Sequence, residues 1–313
     1  MLMPRTATKN LPLETVRREL AVRIGSHARV VGQNATAISG LTLFRNPAPS
    51  MCKLSSVEPS LTVFAQGKKR INVGGADFVC DATSFLVASI DLPVQSQIIE
   101  ASEVMPQLAM RLLLDMNAVR EVVGREDLPA PNSRDRRGLA VGQVTPGLLN
   151  ASTRLIDLLE TPEDIPFVFH LIEREIIYRI LRTPQGDRLR VIATSGNLSH
   201  RTAKAIGWLR NNFDKPLRME ELAEVARMGV STLHHHFRAM TSMSPLQFQK
   251  QVRLRTARER MLKDGLDATN AAFEVGYESV SQFNREYSRM FGEPPMRNIR
   301  ALRDSKVVAI DLV

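Results

Sequence analysis

Apolar positions along the chain follow two rhythms. From Gly40 to about Leu114 they fall in short runs rich in β-branched residues: LTLFRN, SLTVFAQ, KRINV, ADFVCD, SFLVASIDL, QSQIIEA and QLAMRLLL, separated by turn residues. Leu61, Val63 and Ala65 alternate as one buried strand face would, and Gly74-Gly75 marks a two-residue hairpin. Many short strands with close turns predict an antiparallel barrel or a double-sheet roll. Beyond residue 143 the period lengthens, and TPGLLNASTRLIDLLETPEDIPFVFHLIEREIIYRILRTPQG predicts two helices split by Pro162 and Pro166. In the second, Phe169, Ile172, Ile176 and Ile180 form one apolar stripe, either core or, if exposed, a dimer seam.

The last third repeats itself at an interval of fifty. MEELAEVARMGVSTLHHHFRAM and ATNAAFEVGYESVSQFNREYSRM align with Ala223 on Phe273, Val225 on Val275, Ser231 on Ser281, Leu233 on Phe283 and Phe237 on Tyr287. Each copy holds a short apolar helix, a turn with glycine (Gly229; Gly276 slightly earlier) and a second helix opened by Ser or Thr. This is the helix-turn-helix pattern, whose second helix enters the major groove of DNA. Between the copies lies one predicted helix, SPLQFQKQVRLRTARERMLKDG, with Ser244 as N-cap, Pro245 first in the helix and Gly265 just past its end. Pro245 to Lys263 spans roughly 28 Å, close to the 34–36 Å or so of one DNA turn. Gly292, Pro294 and Pro295 stop the second copy, and the basic stretch MRNIRALR follows.

From about Ala205 to Arg303 these landmarks resemble the AraC family of transcription regulators. They are Ser231, Leu233 and Phe237; Ser244-Pro245; Arg253 to Ala257; Val275-Gly276-Tyr277; and Phe283 through Phe291-Gly292 to Pro295. Arg218 replaces the usual capping residue, and Asn270-Ala271 the usual Ile-Ala. The strand-rich region resembles the N-terminal domain of one AraC subgroup through Gly40 to Phe44, Glu58 to Leu61, Gln66-Gly67-Lys68 and Asp91 to Val94. The resemblance implies an α+β chain with an N-terminal cupin-like β-barrel, a helical connector and an all-α double helix-turn-helix domain. The expected divisions are a polar arm at 1–20 ending in the helix LETVRREL, and a regulatory domain at 21–124 whose last part, Asp115 to Val123, is helical. A mobile Pro, Gly and charge-rich loop follows at 125–143, a connector or dimerisation segment at 144–198, the DNA-binding domain at 199–303 and a tail to 313.

The 313 residues carry a formal charge of +9 and a pI near 10.0, which favour an acidic partner, nucleic acid before an anionic membrane. Two cysteines, Cys52 and Cys80, are too few for a secreted disulfide scaffold, and neither a signal peptide nor an eighteen-residue apolar run is present, so a cytoplasmic location is expected. A buried structural thiol is the default for each; an electrophile-sensing thiol is the alternative.

Helical period puts Leu233, Phe237 and Met240 inward on the first reading helix and Ser231, His234, His235 and Arg238 outward. On the second, Phe283, Tyr287 and Met290 go inward, and Val280, Ser281, Asn284, Arg285 and Ser288 outward. The family's base-reading positions fall on Ser231, His234, His235, Val280, Ser281, Asn284 and Arg285. Arg285 suits guanine, Asn284 adenine and Val280 a thymine methyl, while Arg210, Lys250, Arg253, Arg255 and Arg258 are placed for phosphates. Three consecutive histidines, His234 to His236, point about 100° apart and cannot share a metal ion, and the strand region after Gly40 has no histidine. No nucleophile elbow, phosphate loop or dinucleotide fingerprint occurs, so neither a catalytic role nor a cofactor is expected. The expected partners are operator DNA, RNA polymerase, an unidentified small-molecule effector and a second copy of the chain, with no membrane. The competing readings are a small-molecule binding protein or enzyme with a DNA-binding tail, and a constitutive DNA-binding protein with a structural barrel.

Overall fold

The computed structural model describes residues 13–125, 137–194 and 198–307, with side chains to 303. The chain divides into two compact units, residues 1–200 and 201–313.

In the first unit a six-stranded antiparallel sheet has the order β1-β2-β9-β4-β7-β10: Gly32–Ala35, Leu41–Asn46, Gln107–Leu113, Ser60–Gln66, Ser84–Ala88 and Leu139–Gln143. A four-stranded sheet has the order β3-β8-β5-β6: Lys53–Val57, Leu92–Glu100, Lys68–Val73 and Ala76–Cys80. The double-sheet roll is therefore correct, but the sheets do not close into a barrel. The outer strands β1 and β10 of one sheet are not paired with β3 or β6 of the other. Gly74-Gly75 makes the expected hairpin, both residues at positive φ, with Val73 opposite Ala76.

Three strands escaped the sequence pattern. β1 and β3 are short and polar, with too little alternation to announce themselves. β10 lies inside the stretch expected to be a mobile loop, where Leu139–Gln143 pair with Ser84–Ala88. Its Gly142 reads as a turn residue, but a Cβ there would lie 2.5 Å from the Phe85 ring, so glycine here serves close approach. The rest of that expected loop, 126–136, lies outside the described residues.

Helices cover one face of the larger sheet. They are α1 (Leu13–His27), α2 (Met116–Arg125), α3 (Pro146–Asp157), α4 (Ile165–Leu181) and α5 (Asp187–Ala193). The arm reading fails from Leu13 onward, because α1 buries Val16, Leu20, Ala21 and Ile24 in the sheet-and-helix core. Arg17 Nη1 donates to the Ala65 carbonyl at 2.8 Å, and Arg23 pairs with Asp157 at 2.7 Å. The α4 stripe is core: Ile172, Ile176 and Ile180 are buried and Phe169 packs against them. What α4 shows to solvent is Phe167, 73% exposed, and Leu171, 56% exposed.

The second unit opens within α6 (Leu198–Asn211) and continues through α7 (Met219–Ala226), α8 (Val230–Thr241), α9 (Pro245–Lys263), α10 (Ala268–Glu274), α11 (Val280–Phe291) and α12 (Pro295–Val307). The fifty-residue repeat survives in three dimensions. Helices α8 and α11 span equivalent positions, and α12 begins at Pro295 as α9 begins at Pro245. The stretch read as a basic extension is thus the counterpart of the spacer's first turns. Among the described residues no helix is long and apolar enough to cross a membrane.

Candidate nucleic-acid interface

The spacer helix α9 starts as its sequence requires. Ser244 accepts from Gln247 N at 3.2 Å while the Gln247 side chain accepts from Ser244 N at 2.9 Å, a reciprocal capping box with Pro245 in the first turn. Helix α11 is capped by Ser279 and α10 by Asp267, whereas Arg218 and Gly229 give α7 and α8 no side-chain cap. Ser231 therefore lies inside α8 and does not open it. The turn in the first copy also differs from expectation. Gly229 is extended, and the left-handed residue is Arg227 at φ 51°. A side chain in that conformation costs roughly 1 kcal/mol. Arg227→Gly is thus expected to stabilise the chain by about 0.5–1 kcal/mol, seen as a higher urea midpoint at unchanged slope.

Both reading helices split into faces as their period demands. Leu233, Phe237 and Met240 are buried, with Phe237 edge-on to Phe248 of α9 at 5.6 Å. Phe283 and Tyr287 are buried and Met290 half-buried; the Tyr287 hydroxyl donates to Asn298 of α12 at 3.0 Å. On the opposite faces Ser231, His234, His235, Arg238, Ser281, Asn284 and Arg285 are exposed, and Val280 and Ser288 are half-buried. Asn284, Arg285 and Ser288 border a shallow hollow of about 420 Å³ completed by Pro294, Pro295 and Met296.

The cations expected at phosphates are deployed differently. Arg253 Nε donates to the Phe213 carbonyl at 2.6 Å, Nη1 to Gly276 at 2.8 Å, and Nη2 to Asp214 at 3.1 Å and Lys215 at 2.9 Å. Its neighbour one turn back, Gln249, donates to Phe213 and Lys215 as well. Together they fasten the segment after α6 to the turn of the second copy. Arg255 is buried, and Arg258 lies over the Phe291 ring at 4.4 Å. Arg253 and Arg255 are thus engaged within the fold, and Arg258 is half-buried. The charge of α9 tells a reader that it is basic; it does not tell which side of the helix is covered. Arg210 is half-buried at the end of α6.

Lys250 is half-buried and pairs with Glu286 at 2.7 Å. Glu286 also accepts from the Tyr277 hydroxyl at 2.8 Å and from Gln282 at 3.1 Å. Burial alone would raise the Glu286 carboxyl; the bonds from Lys250, Tyr277 and Gln282 hold it below its ordinary value. Burial and the same bond push the Tyr277 phenol up. The sequence did carry one signal of this hub, since Glu286 is the sole acid in α11. A depressed carboxyl contributes stability above its unfolded value, near 4.5, and loses it as pH falls through the folded value. Glu286→Gln should therefore destabilise at neutral pH, with the difference from the parent chain vanishing on acidification. Urea midpoints of the two proteins from pH 7 down to pH ~3 check this.

In the first unit, burial pushes the Cys80 thiol up to about 12, the opposite of a reactive thiolate, while Cys52 is exposed.

Residues 37–188 match the family described as AraC-type transcriptional regulator N-terminus, and residues 222–300 the helix-turn-helix domain. Both domains of an AraC-type transcriptional regulator are thus matched in this chain. Among relatives, the HTH-type transcriptional activator RhaS of Mannheimia succiniciproducens is 27% identical over 150 residues, 47% of this chain and 56% of that protein. The HTH-type transcriptional regulator CdhR of Pseudomonas aeruginosa is 25% identical over 144 residues, 46% of this chain and 43% of that protein. The chain thus spans about half the length of these relatives. In fold, this AraC-type chain is similar to apo ToxT from Vibrio cholerae, with a TM-score of 0.55 at 10% identity over 85% of this chain and 98% of that one. Wild-type ToxT bound to an unsaturated fatty acid gives 0.53 at 10% identity over 82% and 96%.

Proposed function

We propose that the chain is an effector-responsive, sequence-specific DNA-binding transcription regulator acting in the cytoplasm. The observation that carries this reading is the repetition, fifty residues apart, of a helix with a buried aromatic face and an exposed face of hydrogen-bonding side chains. Ser231, His234, His235 and Arg238 address one major groove, and Val280, Ser281, Asn284 and Arg285 the next, with α9 as the spacer. Arg210 and Lys250 meet phosphates, Lys250 also steadying α11 through Glu286. The N-terminal double-sheet unit takes the effector, and its occupancy shifts the population that engages the operator. RNA polymerase and a second copy of the chain are the protein partners, and activation is the outcome favoured by the relatives named as activators.

Arg285→Ala tests the groove assignment. It is expected to relax preference at one operator position by about 1–3 kcal/mol while leaving other positions unchanged. Lys250→Ala is expected to weaken all sequences alike and to flatten the salt dependence. Gel-shift titrations over a panel of singly altered operators at several salt concentrations separate the two. Identical behaviour of both variants would refute the division of labour, and a footprint confined to one groove segment would refute the paired grip.

A further inference from the structure

The two faces of the larger N-terminal sheet are not equivalent in chemistry. The face of the larger sheet turned to the helices carries Leu41, Leu43, Leu61, Val63, Leu108, Met110 and Leu112, all fully buried. Strand alternation puts Thr42, Phe44, Thr62 and Arg111 on the other face, and there every one of them keeps some exposure. Register makes the arrangement specific. Arg111 stands directly opposite Thr42 on β2 and Thr62 on β4, and Thr62 stands opposite Leu86 on β7. Side chains in such a row are about 4.5–5.5 Å apart at Cβ. Arg111 is thus flanked across the ladder by two threonines, with Leu86 one strand further on.

The smaller sheet adds a second cation to the same place. Lys69 Nζ lies 5.9 Å from the centre of the Phe44 ring, and Arg111 Cζ lies 5.4 Å from it. The charged side chains bearing on Lys69 are Arg111 and Lys53, both of its own sign, beside the buried Cys80 thiol. Burial first, then the two cations, push its ammonium below the ordinary value, while Cys80 acts the other way. Glu58 favours the Arg111 charge, yet burial dominates there too, and Arg111 Nε is buried without a hydrogen-bond partner. Two like charges converging on one ring, with a buried donor unmatched, is an arrangement that folding alone does not favour.

We propose that the first unit binds a small organic oxyanion between its sheets, its head group held by Arg111, Thr42, Thr62 and Lys69 and its apolar body lying against Phe44 and Leu86. A carboxylate or a phosphate head supplies the missing acceptors, in the fork geometry that arginine favours. This assignment rests on the reading of the N-terminal unit as the ligand-sensing part, and it names the class of ligand.

The test uses the full chain and calorimetric titration with octanoate, benzoate and phenyl phosphate, each against an uncharged counterpart (octanamide, benzamide, phenol). At least one anion is expected to bind and to raise the unfolding temperature while its counterpart does neither. The carboxylate and phosphate arms identify the head group. Arg111→Met and Lys69→Met should each weaken that binding about thirtyfold or more. Lys68→Met, altering a neighbour paired outside with Glu100, should not. Because Lys69→Met removes an unmatched buried charge, the unliganded variant should melt no lower than the parent, so lost binding will not reflect lost folding. Failure of every anion to bind, equal binding of charged and uncharged probes, or full binding by folded Lys69→Met overturns the assignment. Operator binding measured on the same preparations keeps the two readings apart. Anion binding without any DNA binding would refute the regulator reading alone, and operator binding with no response to anions would refute this one alone.

Discussion

Gly276→Ala is expected to destabilise the second unit by about 2–5 kcal/mol and to abolish operator binding. Two penalties meet at this position. Its φ of +86° is a conformation that residues with a Cβ rarely adopt, and an added Cβ would lie 1.9 Å from the Asp214 carbonyl oxygen. Relief requires the 213–215 segment to move, which breaks the bonds that Arg253 and Gln249 make to its carbonyls. Gly265→Ala is the matched control. Gly265 also has positive φ, at +74°, but nothing lies within 4 Å of the added carbon, so only about 1 kcal/mol of backbone strain is expected. Chemical denaturation of both variants and gel shifts at fixed salt make the comparison. Equal tolerance of the two substitutions would show that the close approach at Gly276 is not what matters.

The second large effect concerns Arg253. Arg253→Ala is expected to cost about 2–4 kcal/mol, since it strips the Asp214 and Gly276 carbonyls of their side-chain donor and leaves Phe213 and Lys215 only the bonds from Gln249. Arg253→Lys should recover little, because an ammonium cannot reproduce a fork aimed at two chain segments. A phosphate anchor would behave otherwise: lysine would restore most DNA affinity, stability would hardly change, and the salt slope would fall by about one in the alanine variant. Denaturation midpoints and salt-dependent titrations of the three proteins distinguish these roles, and a stable Arg253→Ala with a flattened slope would reverse the assignment made here.

Most of the second unit was legible because its signals are local and doubled. The faces of α8 and α11 follow from a 3.6-residue period, and the start of α9 from Ser244 and Pro245, so burial and capping agree with the reading. What the sequence concealed is where long side chains go. Arg253, Arg255 and Arg258 look like surface charge on a basic helix, and only packing shows that the first bonds carbonyls, the second is buried and the third covers Phe291. The first unit shows the same limit from the other side. β10 hides in a Gly- and charge-rich run because glycine at Gly142 permits close packing against Phe85, and α1 shows only as the short helix LETVRREL because three arginines between Leu13 and His27 mask its buried stripe. Thr42, Thr62 and Arg111 sit far apart along the chain, and nothing short of strand register makes them neighbours.

The fastening of α9 at mid-length has a consequence for how a promoter is chosen. With Arg253 clamping the middle of the rod, its two ends are not free to swivel independently, and on the proposed paired grip the protein is expected to measure phase as well as letters. A site holding every correct base, but lengthened by a single pair between the two halves, would present its second half turned away from the waiting helix and is expected to be passed over in gel-shift titration.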